Sequence, residues 1–281
     1  MTNPILFEHV PKCAGTTLVN ILGRKYPPRR ILHVIPARRE DQINAYADLD
    51  EVGRKKYDLI MGHGVYQFRK YLPGEVKAFT FLRNPVDRVI SNYFYILDQP
   101  GHHLYDRIIG EGIGLKEYLT SGVTRTVHNY ITRAVSLFRL SELTADPQAA
   151  LETALENLEN DFFFIGLVEH FDLSLLLLGK NLEWPDPPYY YRENVSRYPR
   201  GKHHDVDSEI IGIIQEQNQL DQKIYEYAVK RFEELNQKNP EILTSQLSAF
   251  QLANQQYSRR KRPQKLLRDI MVFFRKLVLR R

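Results

Sequence analysis

Five short apolar runs, each closed by turn residues, leave this chain few ways to fold. They occupy 4–9, 30–35, 57–61, 76–82 and 161–167 and are rich in β-branched or aromatic residues, the mark of buried strands. Helical spacing fills the intervals between them. It covers 16–25, then 86–97 behind Pro85, then a stretch opened by Asp146 and Pro147 with Leu151, Leu155 and Leu158 on one stripe. A long helix is expected over 208–235, carrying Ile210, Ile211, Ile214, Leu220, Ile224 and Tyr225. Strands separated by helices predict an α/β fold, a P-loop-type, mostly parallel sheet flanked by helices. At 281 residues, 43% hydrophobic and 26% charged, the chain can bury such a core, which excludes wholesale disorder, a collagen-like repeat and a disulfide scaffold.

The net charge of +5 is unevenly spread. From Ser258 to the end there are ten basic residues against one acid, so that segment is +9 and the remainder −4. The basic character therefore belongs to a tail, and nothing in the body points to a nucleic-acid partner. Residues 1–254 are expected to form the domain and 255–281 a basic amphipathic appendage. Within it Leu266, Leu267, Ile270, Met271, Phe273, Phe274, Leu277 and Val278 recur at helical spacing between Arg and Lys. That pattern suits a helix on an anionic membrane surface over 258–281, or one docked on the acidic body. Cys13 is the single cysteine, which fits a reducing compartment. Neither end holds a secretory signal or the ~20 apolar residues of a span, so a cytoplasmic protein, peripheral on the inner membrane face if the tail binds lipid, is expected.

In an open α/β sheet, ligands gather outside the carboxyl ends of the strands. After the first strand comes His9-Val10-Pro11-Lys12-Cys13-Ala14-Gly15-Thr16-Thr17 and then an apolar helix. Small residues let several N–H groups and a helix N-terminus face one point, an anion cradle in which Thr16 and Thr17 add hydroxyls and Lys12 a mobile charge. A Walker A loop places its Lys after the last Gly; here Lys12 precedes Gly15 by three residues, so the magnesium–nucleotide geometry is not reproduced. An ordinary threonine-capped strand–turn–helix is the plainer alternative. After the fourth strand stands Arg83, followed by Asn84, Pro85 and a helix with Ser91 two turns on. An arginine there can fork onto a phosphate, or pair with Asp87. After the third strand, His63 lies between Gly62 and Gly64, a poor core position and a good one for a general base near neutral pH.

At these residues the chain resembles the PAPS-dependent sulfotransferases, in the carbohydrate branch that includes the heparan sulfate and uronyl 2-O-sulfotransferases. The segment 9–17 is similar to that family's 5′-phosphosulfate loop, and Phe81-Leu82-Arg83-Asn84-Pro85-Val86-Asp87-Arg88-Val89-Ile90-Ser91-Asn92-Tyr93 to its 3′-phosphate motif. Gly62-His63 falls where the branch carries its base. Asn129 and Arg133, and the stretch Gly166 to Glu169 with the apolar helix after it, also look like family features, and the likeness spans roughly 4–235.

The resemblance implies a sulfotransferase fold and sulfuryl transfer from PAPS, leaving PAP, to a hydroxyl of a glycan or glycolipid. Backbone from Cys13, Ala14 and Gly15, with Thr16 and Thr17, would hold the 5′-phosphate, Lys12 would neutralise the leaving oxygen, and Arg83 and Ser91 would hold the 3′-phosphate. His63 would take the acceptor's proton, with Asn129 and Arg133 beside the acceptor. No metal is implied, because the transferred group bears a single negative charge, and His203 and His204 lack partners at ligand spacing. Arg200, Gly201 and Lys202, with Arg197, sit where a late basic loop could close over the donor; a solvated surface loop is the alternative. A P-loop nucleotide kinase and a non-catalytic nucleotide- or membrane-binding adaptor are the competing functions. The acceptor and the oligomeric state are not written in any motif.

Overall fold

The computed structural model describes residues 3–191 and 206–261. All five expected strands form, as β1 (Ile5–Glu8), β2 (Ile31–Val34), β3 (Leu59–Gly62), β4 (Ala78–Leu82) and β5 (Phe162–Leu167). They make one sheet in the order β2-β3-β1-β4-β5, with every neighbouring pair parallel. Every residue of β3 and β4 is buried, so both faces need cover, and helical crossovers supply it while returning the chain for the next parallel strand. Rings fill the centre: Phe7 stacks on Phe79 at 4.9 Å, and Phe81 meets Phe164 at 5.9 Å and Phe171 at 5.6 Å.

The crossovers are unequal. Between β1 and β2 lies α1 (Gly15–Lys25), and between β2 and β3 lie α2 (Arg39–Ala47) and α3 (Glu51–Arg54); a 3-10 segment, Val65–Tyr71, follows β3. From β4 to β5 the chain makes α4 (Pro85–Asp98), α5 (Tyr105–Gly110), α6 (Leu115–Thr120), α7 (Tyr130–Ser136), α8 (Leu140–Ala145) and α9 (Pro147–Asn160). After β5 come α10 (Phe171–Asn181), α11 (Ser208–Gln217) and α12 (Gln219–Gln237). The short helices α5 and α6 carry no long periodic stripe and were not expected. They put Ile108, Tyr118 and Leu119 against Val89, Ile90 and Tyr93 of α4 and Ile214 of α11, a second apolar core beside the sheet. No helix among the described residues is long and apolar enough to cross a membrane.

One expectation is corrected. The long helix expected over 208–235 breaks at Asn218, because its buried amide serves other segments. Its Nδ2 donates to the carbonyls of Val127 and Ile214 at 2.7 and 2.8 Å, and its Oδ1 accepts from Asn129 N at 3.1 Å. A side chain that bonds neighbouring backbone interrupts a helix without disturbing its apolar spacing. Residues 247–261 are helical. There Asn254 accepts from Tyr190 N at 2.7 Å, Ser258 donates to the Tyr190 carbonyl at 2.9 Å, and the Tyr257 hydroxyl bonds Arg24. The start of the basic segment is thus fastened to the body. Residues 262–281, and Arg197, Arg200, Gly201 and Lys202, lie outside the described residues.

Candidate active site

Parallel register sets the site. Glu8 of β1 lies level with Gly62 of β3 and Thr80 of β4, so the residues just beyond those strands emerge side by side at the carboxyl edge. The Thr80 hydroxyl donates to the Glu8 carbonyl at 2.8 Å. Past β1 the backbone turns sharply, with Lys12 at φ 68° and Ala14 at φ 60°. Left-handed geometry at non-glycine residues costs about 1–3 kcal/mol each and persists where surrounding structure enforces it. Alternation of this kind turns successive N–H groups into an anion-binding concavity, and the first turn of α1 adds its outward N–H groups. Gly15 cannot carry a side chain: a Cβ there would fall 1.6 Å from His9 Nε2. His9 therefore lies on the first residue of α1, at the mouth of the loop.

His63 is held by its neighbours in one tautomer. Its Nδ1 is 2.5 Å from the His9 carbonyl oxygen, which can only accept, so Nδ1 carries the proton and Nε2 keeps its lone pair. The two imidazoles stack at 4.0 Å with 24° between planes. Burial holds His63 below its ordinary pKa, opposed by the bond to His9 and reinforced by His33 and Arg39. Burial, with His63, His33 and Lys12 as neighbouring charges, takes His9 down to about 2, so His9 is a neutral slab. The turn after His63 needs a glycine at 64, where φ is 72°. Gly64 N and Tyr66 N both donate to the Glu8 carboxyl, at 2.8 and 2.9 Å. Burial raises Glu8 to about 7 against the pull of those bonds and of Arg39.

The cations cluster on the β1/β4 side. The Lys12 ammonium rests 3.5 Å from the centre of the Tyr95 ring on α4. Burial, and after it the Arg83 charge, lowers Lys12 to about 8, while Cys13 and Asp98 pull it upward. The Arg83 and Lys12 charges thus stand close enough to repel. Asn84 caps α4 by accepting from Val86 N and Asp87 N at 3.0 and 3.4 Å, with Pro85 at the first helical position. Its own N–H donates to Glu169, beyond β5, at 2.8 Å. Ser91 lies one turn before Tyr95 and so shares the α4 face that carries Lys12. Ala14, Gly15, Thr16 and Thr17 form the loop end and the first turn of α1 as expected. Cys13 turns its thiol into the core, where burial pushes it up to about 12. The low-pKa, oxidisable thiol that a helix N-terminus would favour is overruled by that burial.

Asn129 and Arg133 are occupied internally. The Asn129 Oδ1 accepts from Leu220 N and Asp221 N at 3.0 and 3.1 Å, closing the N-terminus of α12. Arg133 donates to the carbonyls of His128 and Arg125 at 3.2 and 2.6 Å, fixing the turn before α7. Four residues went unread in the sequence: Glu8, His9, Arg39 and Tyr95. Glu8 had a signal, since a carboxylate in an apolar run must satisfy buried donors. Arg39 had none, because its approach to Gly64, where a Cβ would meet its Nη1 at 2.8 Å, depends on β2 pairing with β3.

The chain is 24% identical over 199 residues to galactose-3-O-sulfotransferase 2 of Sus scrofa, a match covering 64% of this chain and 48% of the relative. It is 23% identical over 255 residues to heparan sulfate 2-O-sulfotransferase 1 of Gallus gallus, covering 82% of this chain and 70% of the relative. The chain thus spans about half the length of the galactose-3-O-sulfotransferases it matches. The pattern of the Sulfotransferase family matches residues 1–228. Since that match runs through every strand, both loops and the first half of α12, the chain belongs to the Sulfotransferase family.

Proposed function

We propose that this chain transfers a sulfuryl group from PAPS to a hydroxyl of a carbohydrate or glycolipid-type acceptor. The observation that carries the reading is the closeness of two cations, Lys12 and Arg83, beside a strained loop whose other flank holds His63 in its basic tautomer. The relatives' names agree with a carbohydrate acceptor.

Each residue has a task. The 13–17 backbone and the first turn of α1 bind the 5′-phosphate, and Arg83 with Ser91 binds the 3′-phosphate, which distinguishes PAPS from nucleotides lacking it. Lys12 leaves the Tyr95 ring, a contact of about 0.5–2 kcal/mol, and meets the bridging oxygen as its charge grows, an interaction stronger in the transition state than before it. His63 Nε2 accepts the hydroxyl proton while the acceptor oxygen bonds to sulfur and the bond from sulfur to the phosphate oxygen breaks. His9 positions His63 through its carbonyl and ring, and Glu8 positions it through Gly64. Asn129 and Arg133 fix the walls rather than the acceptor.

Sulfur-labelled PAPS incubated with a glycan panel in chelator tests the reading. Label should reach a glycan without added metal, and His63→Ala should lose transfer while still binding PAP. Transfer to no glycan, or full activity of His63→Ala, would reject it.

A further inference from the structure

The helix over 247–261 has two unlike faces. Its inner face is fastened to the body. The buried ring of Phe250 stacks on Tyr189 at 5.5 Å, and Tyr257 stacks on the same ring at 6.0 Å. Asn254 and Ser258 hold the Tyr190 amide and carbonyl. The outer face carries Leu252, 60% exposed, and two turns on the exposed Arg259, with Arg260 beside it. The chain beyond 261 therefore leaves from a fixed point on the body, and from a helix whose outward side is already apolar and basic.

The sequence that follows, 262–281, holds seven basic residues and one acid. Its eight apolar residues at helical spacing, from Leu266 to Val278, fall within about 160° of a helix circumference. Lys265, Arg268, Arg275 and Lys276 fall in the remaining arc, which only Val272 and Leu279 interrupt. Eight charges in this stretch forbid a membrane span, which needs about 20 mostly apolar residues. A nucleic-acid backbone would use the cations and leave the apolar stripe in water. The body offers the stripe little. Its exposed large apolar side chains among the described residues are Ile35, Val52, Ile109 and Leu137 on separate elements, besides Leu243 and Leu252, and these make no long groove. Docking on the body would also need acids near 261, and a cation stands there instead. The Arg24 guanidinium bonds the Tyr257 hydroxyl and lies 5.5 Å from its ring, with the Lys261 ammonium 6.0 Å from the same ring. An anionic bilayer supplies both an apolar depth and a negative surface.

We propose that 262–281, together with Arg259 and Arg260 at its root, binds the surface of an anionic lipid bilayer. The apolar stripe enters the boundary of the acyl chains, and the basic side lies among the headgroups. The inference does not depend on the assignment of donor and base made above, and it holds whichever hydroxyl is sulfated.

Co-sedimentation of the full chain with vesicles tests it, on phosphatidylcholine alone and on an equimolar mixture with phosphatidylglycerol. The native protein should bind the mixed vesicles at least about 100-fold more strongly than the neutral ones, since each basic residue near an anionic surface adds about fivefold. Added salt should erase much of that difference. Arg275→Gln with Lys276→Gln should weaken binding to the mixed vesicles by about 10- to 30-fold. Phe273→Ser with Phe274→Ser leaves the net charge alone and should weaken it by at least about 10-fold. Both double variants should melt with the native protein when lipid is absent. No binding, equal binding to the two vesicle types, or native-like binding by the phenylalanine variant overturns the proposal; in the last case tight binding to duplex DNA would assign the segment to a polyanion. A phenylalanine variant that melts lower without lipid means that the stripe packs on the body, and overturns it as well. Dimerisation without lipid that the same variant abolishes, with no binding to vesicles, gives the stripe to a second copy and also overturns it.

Discussion

The two halves of the sheet's carboxyl edge are assembled by different means. On the β1/β4 side, each feature that would hold an anion is built locally: two left-handed residues run straight into the open turn of α1, and Arg83 is followed at once by its helix cap. On the β2/β3 side nothing is local. His63 is oriented by the carbonyl of a residue 54 positions away, its turn is held by Glu8 at a separation of 56, and Arg39 arrives from a different strand. The contrast follows from the two jobs. Gripping phosphate needs backbone N–H groups and cations, which a short peptide can supply. Placing a base needs a fixed distance to something else, which only tertiary contacts provide.

The comparison is broken most directly at His63. His63→Ala is expected to lower kcat by about 10²- to 10⁴-fold, with PAP affinity held, because the change is confined to the β3 side; a large loss of PAP affinity in calorimetry would merge the two halves. Arg83→Ala should do the reverse and weaken PAP by about 10- to 100-fold with a smaller change in kcat at saturating donor. His9→Ala should fall between, with an acid limb shifted toward the ordinary histidine value as His63 loses its covering ring, and His9→Phe should restore most of the rate. If both His9 variants are equally inactive, it is the imidazole nitrogens and not the flat ring that matter.

Titration sharpens the contrast further. Since burial lowers His63, the acid limb of kcat/KM should have its midpoint below the ordinary 6.5. Lys12, lowered to about 8 in the free protein, should give an alkaline limb there, and kcat should fall at higher pH because bound phosphate keeps the ammonium charged. Glu8 acts on stability. Its pKa of about 7 in the fold exceeds its ordinary 4.5, so the folded state keeps a proton that the unfolded chain releases between those values. This group's contribution is therefore largest at low pH and declines as pH rises through 7. His9, lowered to about 2, contributes in the opposite sense below 6.5, so the Glu8 part is read as the difference between native protein and Glu8→Gln. That variant leaves one buried N–H unmatched, costs about 1–3 kcal/mol, and should flatten the decline of melting temperature above pH 5. An unchanged slope would mean that Glu8 keeps its ordinary titration.

Legibility in the sequence follows the same division. The five strands and the helices behind the two loops were readable because continuous apolar runs and Pro85 with its cap are local signals. The places of His63 and Arg83 were readable because each directly follows a strand, and that of Lys12 because it lies in the turn between β1 and α1. The break at Asn218 was not, since Ile214 and Leu220 keep helical spacing across it while the cause lies in Val127 and Asn129. Helices α5 and α6 are too short for a periodic signal. Asn129 and Arg133 were singled out through the family resemblance; the bonds they make to backbone become visible only when α7 meets α12.

Calorimetry of PAP against AMP in chelator, on native protein and Arg83→Ala, goes to the centre of the account. Two separate phosphate pockets predict PAP preferred over AMP by about 10- to 100-fold without metal, with the preference lost when Arg83 is removed. Equal affinity for PAP and AMP, or tighter binding of ATP that depends on magnesium, would contradict it.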